Sequence, residues 1–255
     1  VTLVGSFNPI TVAHVAAMRA ARDLLLGGGE AQRPQGLAVY DEVLGFLCAN
    51  GEERVAAKMA EQGLPAISEA DRRRLMGLAI SQPDLLWLGV VDEGACEVYG
   101  RAQGEEQSQV VELLRQELHT VDFEHFRLDG SDVALRWRSW EHASPERRFL
   151  CAVRGEDREP LLKAMGAAAR GPTSEWYHQG HFVVLPPASA ELGAMSSTAV
   201  RQALMRDDVR ALAGVVDPAV LEWNFRRGPY RKPRAAPRGA FEHRRGDGAA
   251  APLAA

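Results

Sequence analysis

The chain has 255 residues, 46% of them apolar and 25% charged, with 30 Lys and Arg against 34 Asp and Glu, which supplies a full core and excludes gross disorder. No run of about 18 apolar residues occurs, so a membrane-spanning helix is excluded, and the three scattered cysteines Cys48, Cys96 and Cys151 form neither a disulfide framework nor a cysteine zinc site. From Arg226 onward eight basic residues face two acidic ones, a net of +6 that leaves −10 for residues 1–225 of the total of −4, and a basic tail on an acidic body speaks against a nucleic-acid-binding domain. The cysteine usage fits an intracellular, reducing compartment. Of the 30 basic residues 27 are Arg, and Lys58, Lys163 and Lys232 are the only lysines, so a site that needs lysine has few candidates.

Val1 to Val4 predicts a short strand that turns at Gly5, with no initiator methionine and no secretory segment, and residues are expected to precede it. From Pro9 the spacing of Val12, Val15, Ala16 and Met18 predicts a helix through Leu26, stopped by three glycines at 27–29. Val39 to Phe46 fits a strand or a helix start. Glu69 to Ser81 reads as a helix ended by Pro83, and Leu85 to Val91 as a buried strand. Gln107 to His119 carries a helical stripe, Phe149 to Val153 and His181 to Pro186 suit strands, and Pro160 to Ala169 is helical between them. Ser197 to Arg206, Asp208 to Val215 and Pro218 to Phe225 are the last helices. Alternation of strands and helices predicts a Rossmann-like α/β domain over residues 1–225, a mainly parallel sheet with helices on both faces. Residues 226–255, rich in Pro, Gly, Ala and Arg, are expected to be a disordered or partner-ordered tail.

The segment Gly5-Ser6-Phe7-Asn8-Pro9-Ile10-Thr11-Val12-Ala13-His14 joins the first strand to the first helix. Gly5 lets a ligand approach the backbone, and open N–H groups at the helix start attract an anion. His14, one turn into the helix, tilts back toward the loop beside Thr11 and can donate to phosphate oxygens. Each residue alone is as well explained by structure, but together at a strand-to-helix junction they point to a phosphate site. Met195-Ser196-Ser197-Thr198-Ala199-Val200-Arg201 opens a later helix with hydroxyls and sets Arg201 on the face of Ser197 and Thr198, a clamp for the outer phosphates of a nucleoside triphosphate.

Gly5 to His14 and Ser196 to Arg201 resemble the two signature motifs of the nicotinamide/nicotinate mononucleotide adenylyltransferase family, in the nucleotidyltransferase superfamily. The Thr11-x-x-His14 form is similar to the eukaryotic branch. Weaker similarity runs through Gly63-Leu64-Pro65, Arg72, Leu85 to Asp92 and Gly155-x-Asp157. The resemblance implies adenylyl transfer from ATP to a pyridine mononucleotide, giving a dinucleotide and pyrophosphate, with Mg²⁺ sharing the phosphate charge. By family role His14 stabilises the α-phosphate, Ser197, Thr198 and Arg201 hold the β- and γ-phosphates, Gly155 and Asp157 hold the adenosine ribose, and Gly5, Ser6 and Phe7 line the floor. No residue is assigned as a metal ligand.

The acceptor side departs from the family. Lys58-Met59-Ala60-Glu61-Gln62 replaces a lysine-rich run, Asp92 to Glu97 lacks an aromatic, Trp176-Tyr177-His178 and Leu185-Pro186-Pro187 lack the expected Trp-Lys pair and arginine, and Ala152, Val153 and Arg154 look inserted before Gly155. Trp87, Trp137, Trp140 and Trp176 are candidates for a replacement ring. Three readings stay open: an active pyridine-nucleotide adenylyltransferase, a related transferase with another phosphorylated acceptor, and a non-catalytic subunit of a larger assembly, nucleotide site retained, that docks through the basic tail. Self-association is a family habit that the sequence neither supports nor opposes.

Overall fold

The computed structural model describes residues 1–28, 34, 36–91, 109–168, 179–185 and 196–230. Six strands form one sheet: β1 (Thr2–Gly5), β2 (Gly45–Ala49), β3 (Leu88–Val91), β4 (Phe126–Gly130), β5 (Arg148–Ala152) and β6 (Phe182–Val184). Their order is β3-β2-β1-β4-β5-β6, and every pairing among them is parallel. Parallel neighbours need crossovers, and helices supply them: α1 (Val12–Leu25), α2 (Glu52–Glu61), α3 (Glu69–Ala79), α4 (Gln109–Glu117), α5 (Ser131–Trp137) and α6 (Arg158–Ala168). The chain closes with α7 (Ser197–Met205), α8 (Val209–Leu212) and α9 (Pro218–Arg227). This is the α/β, Rossmann-like architecture expected from the alternation.

Side-chain alternation along β5 shows why both faces are covered. Leu150 joins the main core with Leu3, Leu47, Leu128, Met18, Leu75 and Val200, while Phe149 and Cys151 join a second cluster with Ala134, Leu161 and Phe182 under α5 and α6. Local signals set the helix ends. The Ser68 hydroxyl accepts from the Asp71 amide at the start of α3, and Asp217 with Pro218 starts α9. Gly27 closes α1 at a φ of 91°.

Several elements differ from the sequence-based expectation. β2 begins at Gly45, because Val39 is 65% exposed and the buried run is Leu47 to Ala49. Gly45 is a packing requirement: a Cβ there would lie 2.6 Å from the Trp87 ring. β4, α2 and α5 have no counterpart in that expectation. Helix α9 runs on to Arg227, and Tyr230 is buried in the main core, so the folded unit extends past residue 225. The expected tail beyond Tyr230 lies outside the described residues, as do Cys96, Trp176 and the departures at 92–97, 176–178 and 186–187.

Candidate functional site

In an open parallel sheet, ligands bind beyond the carboxyl ends of the strands where the strand order reverses. Here that point falls between β1 and β4, so the segments after Gly5 and after Gly130 define the mouth. The Phe7 side chain leaves little room for a Cβ at position 5. A Cβ would stand 3.0–3.3 Å from the Phe7 ring, which folds back under the loop because Phe7 has a φ of 41°. Phe7 is fully buried, and its ring meets His14 edge-on at 5.1 Å between centroids.

Inward-facing donors hold the loop by its carbonyls. The Asn50 amide donates to Gly5 O at 2.8 Å, Arg72 Nη1 to Ser6 O at 3.1 Å, Arg201 Nη1 to Asn8 O at 2.9 Å and Ser197 Oγ to Pro9 O at 2.8 Å. The Asn8 side chain accepts from the Ile67 amide at 3.1 Å. Arg72 and Arg201 are both buried, at 0% and 3% exposure, so the loop sits between two guanidiniums from α3 and α7. The amides of Ser6 and Phe7 make no hydrogen bond with any described residue. The helix start itself is less open than expected: the Thr11 amide donates to His14 Nδ1 at 3.0 Å and the Val12 amide to Val215 O at 2.9 Å.

That Thr11 bond fixes the His14 tautomer. Nδ1 accepts, with Thr11 Oγ1 also 2.8 Å away, so the neutral ring carries its proton on Nε2. Burial lowers the His14 pKa to about 4, the Arg154 charge acts in the same direction and Asp132 opposes them. His14 is therefore neutral at physiological pH and offers one N–H to a ligand.

The late helix docks where the sequence placed it. Ser196 Oγ accepts from the Ala199 amide and caps α7. Arg201 is oriented differently from a free clamp: Nη2 donates to Gln62 Oε1 at 2.8 Å and to Thr198 Oγ1 at 3.0 Å, and its buried Nε has no partner among the described residues. Ser197 is half-buried and Thr198 exposed.

Gly155 and Asp157 lie in a turn just after β5. Ser131, which opens α5 directly after β4, donates through Oγ to Asp157 Oδ2 at 2.6 Å and accepts from the Arg154 amide at 3.2 Å. Through Ser131 the β4 and β5 loops are tied together, and because β4 pairs in parallel with β1 they leave the same carboxyl edge of the sheet as the loop after β1. The residues expected at the site thus form two groups, Gly5, Ser6, Phe7, Thr11, His14, Ser197, Thr198 and Arg201 on one side, Gly155 and Asp157 on the other. Sequence reasoning missed Gln62, Ser131, Asp132 and Arg154 as parts of this site, and included Asn8 in the loop motif without giving it a role. Gly130-Ser131 repeats the Gly-Ser step of Gly5-Ser6 at a strand-to-helix junction, a signal that becomes visible only once β4 is placed.

Three of the four candidate aromatic rings lie elsewhere, and Trp176 is outside the described residues. Trp87 packs against Gly45 and Arg22, Trp140 is buried against Phe182, and Trp137 is 60% exposed at the far end of α5 from the mouth. A depression of about 200 Å³ between α1, the end of α3 and the start of α9 is lined by Ile10, Val15, Ala79, Leu85 and Asp217, without His14. Among the described residues no cluster of three His, Cys, Asp or Glu side chains could hold a metal, and no helix is long and apolar enough to cross a membrane. The fold and the mouth define an α/β protein of Rossmann-like type. No protein-family model matches the chain, and no curated protein matches it.

Proposed function

We propose that the chain is an adenylyltransferase that moves AMP from ATP to nicotinamide or nicotinate mononucleotide, giving the dinucleotide and pyrophosphate. One observation carries the proposal: the hydroxyl-rich end of α7 is bonded to the glycine loop after β1, through Ser197 to Pro9 and Arg201 to Asn8, beside the point where the strand order reverses. The two segments that resemble the family's motifs are thereby one structural unit.

The chemistry asks little covalent work of the protein. A phosphate oxygen of the acceptor forms a bond to the α-phosphorus as the bond to the bridging oxygen of pyrophosphate breaks, and the leaving group takes that electron pair. His14 serves as a neutral donor through Nε2–H, aimed at charge that grows on the α-phosphoryl oxygens. The Ser6 and Phe7 amides add fixed dipoles, and Ser197 and Thr198 take the outer-phosphate role that the resemblance implies for them. Arg201 acts as a positioning residue that sets the loop's shape through Asn8. Mg²⁺ brought with ATP would be held mainly by phosphate oxygens and would share their charge; Asp132, an exposed carboxylate whose charge acts on His14, would be the carboxylate to hold it.

One observation favours the binding-only alternative, in which a non-catalytic subunit keeps the nucleotide site: the Nη donors of Arg201 are already engaged by the protein. The two readings separate in one assay. Incubation with ATP, Mg²⁺ and each mononucleotide should release pyrophosphate and form the dinucleotide in equal amounts. Bound ATP with no pyrophosphate from either acceptor would leave the subunit reading in place and remove the enzyme.

A further inference from the structure

Three arginines surround the mouth, and they are used differently. Arg72 donates to Ile67 O, Ser6 O and Asn50 O, and Arg201 donates to Asn8 O, Gln62 and Thr198, so both guanidiniums are internal struts. Arg154 has its backbone pinned, since its amide donates to Ser131 Oγ, which is itself held by Asp157. Its side chain is half-buried, yet the guanidinium makes no ion pair and no hydrogen bond with any described residue. Acidic neighbours are present in Asp132, Glu156 and Asp157, and Asp157 already has Ser131 on one oxygen. With its backbone fixed and its guanidinium without a protein partner among the described residues, Arg154 keeps all its side-chain donors for a ligand.

We propose that Arg154 is the anion-binding side chain of the mouth, receiving a phosphate group of a nucleoside triphosphate beside His14, the task that the sequence pattern assigns to Arg201. Three features support it. Arg154 lies just after β5, on the carboxyl edge of the sheet next to the strand-order reversal. The planar guanidinium suits a bidentate grip on phosphate. Its charge also acts on His14 in the direction that disfavours the imidazolium. A cation supplied from the β5 loop offsets both the internal use of Arg201 and the scarcity of lysine around Gln62. The identity of the anion as a triphosphate rests on the proposed function; the anion-binding role of Arg154 has its own test.

Titration calorimetry on the full chain, without acceptor, compares wild type, Arg154→Gln and Arg154→Lys with ATP, inorganic pyrophosphate and adenosine as probes. The Gln variant should bind ATP about tenfold to a hundredfold more weakly, the Lys variant should lie between, and adenosine affinity should not change. In parallel, an NMR titration of His14 should show its pKa higher in Arg154→Gln than in wild type. Wild-type ATP affinity in Arg154→Gln, or a His14 titration that does not move, overturns the inference and leaves the adenylyltransferase reading standing. A wild-type protein that binds pyrophosphate but not ATP, with the binding lost in Arg154→Gln, supports the anion site and removes the nucleotide. Binding of neither probe by wild type removes both.

Discussion

The loops after β1 and after β5 leave the same edge of the sheet on either side of β4 and handle positive charge in opposite ways. At the first, two buried arginines satisfy four backbone carbonyls and fix one conformation, with Phe7 beneath and Ser197 alongside. At the second, the backbone is fixed by Ser131 while the guanidinium of Arg154 has no partner among the described residues. The comparison teaches that an arginine in a segment that resembles a signature can serve as a strut; under the inference drawn above, the ligand-facing cation comes from a neighbouring loop instead. Under the proposed function, a wall fixed by internal arginines and one with an unengaged guanidinium together suit a site that holds two anions in line.

The comparison can be broken at its rigid side first. Under the proposed function, His14→Ala should lower pyrophosphate release about 10²- to 10³-fold, the range for loss of one preorganised donor, while the melting temperature shifts by no more than about 4 °C. An unchanged rate in the coupled assay would remove His14 from the chemistry. Arg201→Met should leave Asn8 O and Gln62 Oε1 without a donor and cost about 3 kcal/mol in urea unfolding, whatever the protein does. A loss below about 1 kcal/mol would contradict the strut assignment. Gly5→Ala puts a methyl against the Phe7 ring and should cost about 1–3 kcal/mol, with loop distortion visible in the His14 resonances.

Acidity offers a finer probe. The His14 pKa is lowered to about 4 from 6.5, so the unfolded chain takes up a proton at higher pH than the fold does. The contribution is fully present above pH 6.5 and is lost as pH falls toward about 4. Wild type should therefore lose more stability than His14→Ala over that interval, and parallel curves for the two would refute the assignment. The smallest effect is a control. Leu86 is 89% exposed, and Leu86→Ser should change stability by no more than about 0.5 kcal/mol.

Much of the fold is legible in the sequence because continuous apolar runs mark β1, β3, β5 and β6, and helical stripes with caps mark α1, α3, α7 and α9. β4 is hidden because Arg127 and Asp129 interrupt its apolar residues; in the fold they share one face and pair at 2.8 Å. α2 is hidden because it buries only Val55 and Met59 among charged neighbours, too few to form a stripe. At the site, Gly5 to His14 and Ser197 to Arg201 are visible as patterns, and their mutual docking is what the structure adds. The direction of the Arg201 guanidinium is not legible, since spacing fixes the helix face of a long side chain but not its bonding partners. Arg154 is marked in the sequence only as part of an apparent insertion before Gly155, and as one arginine among 27 it carries no phosphate-binding pattern.

The central claim is that the mouth formed by the β1, β4 and β5 loops takes up nucleotide phosphates. Its most direct test tracks the His14 imidazole by NMR while ATP and Mg²⁺ are added. The account predicts a saturable shift of the His14 signals in wild type and a much weaker response in Arg154→Gln at the same ATP concentrations. Signals that stay in place at millimolar ATP, in a protein whose other resonances show it folded, would contradict the account.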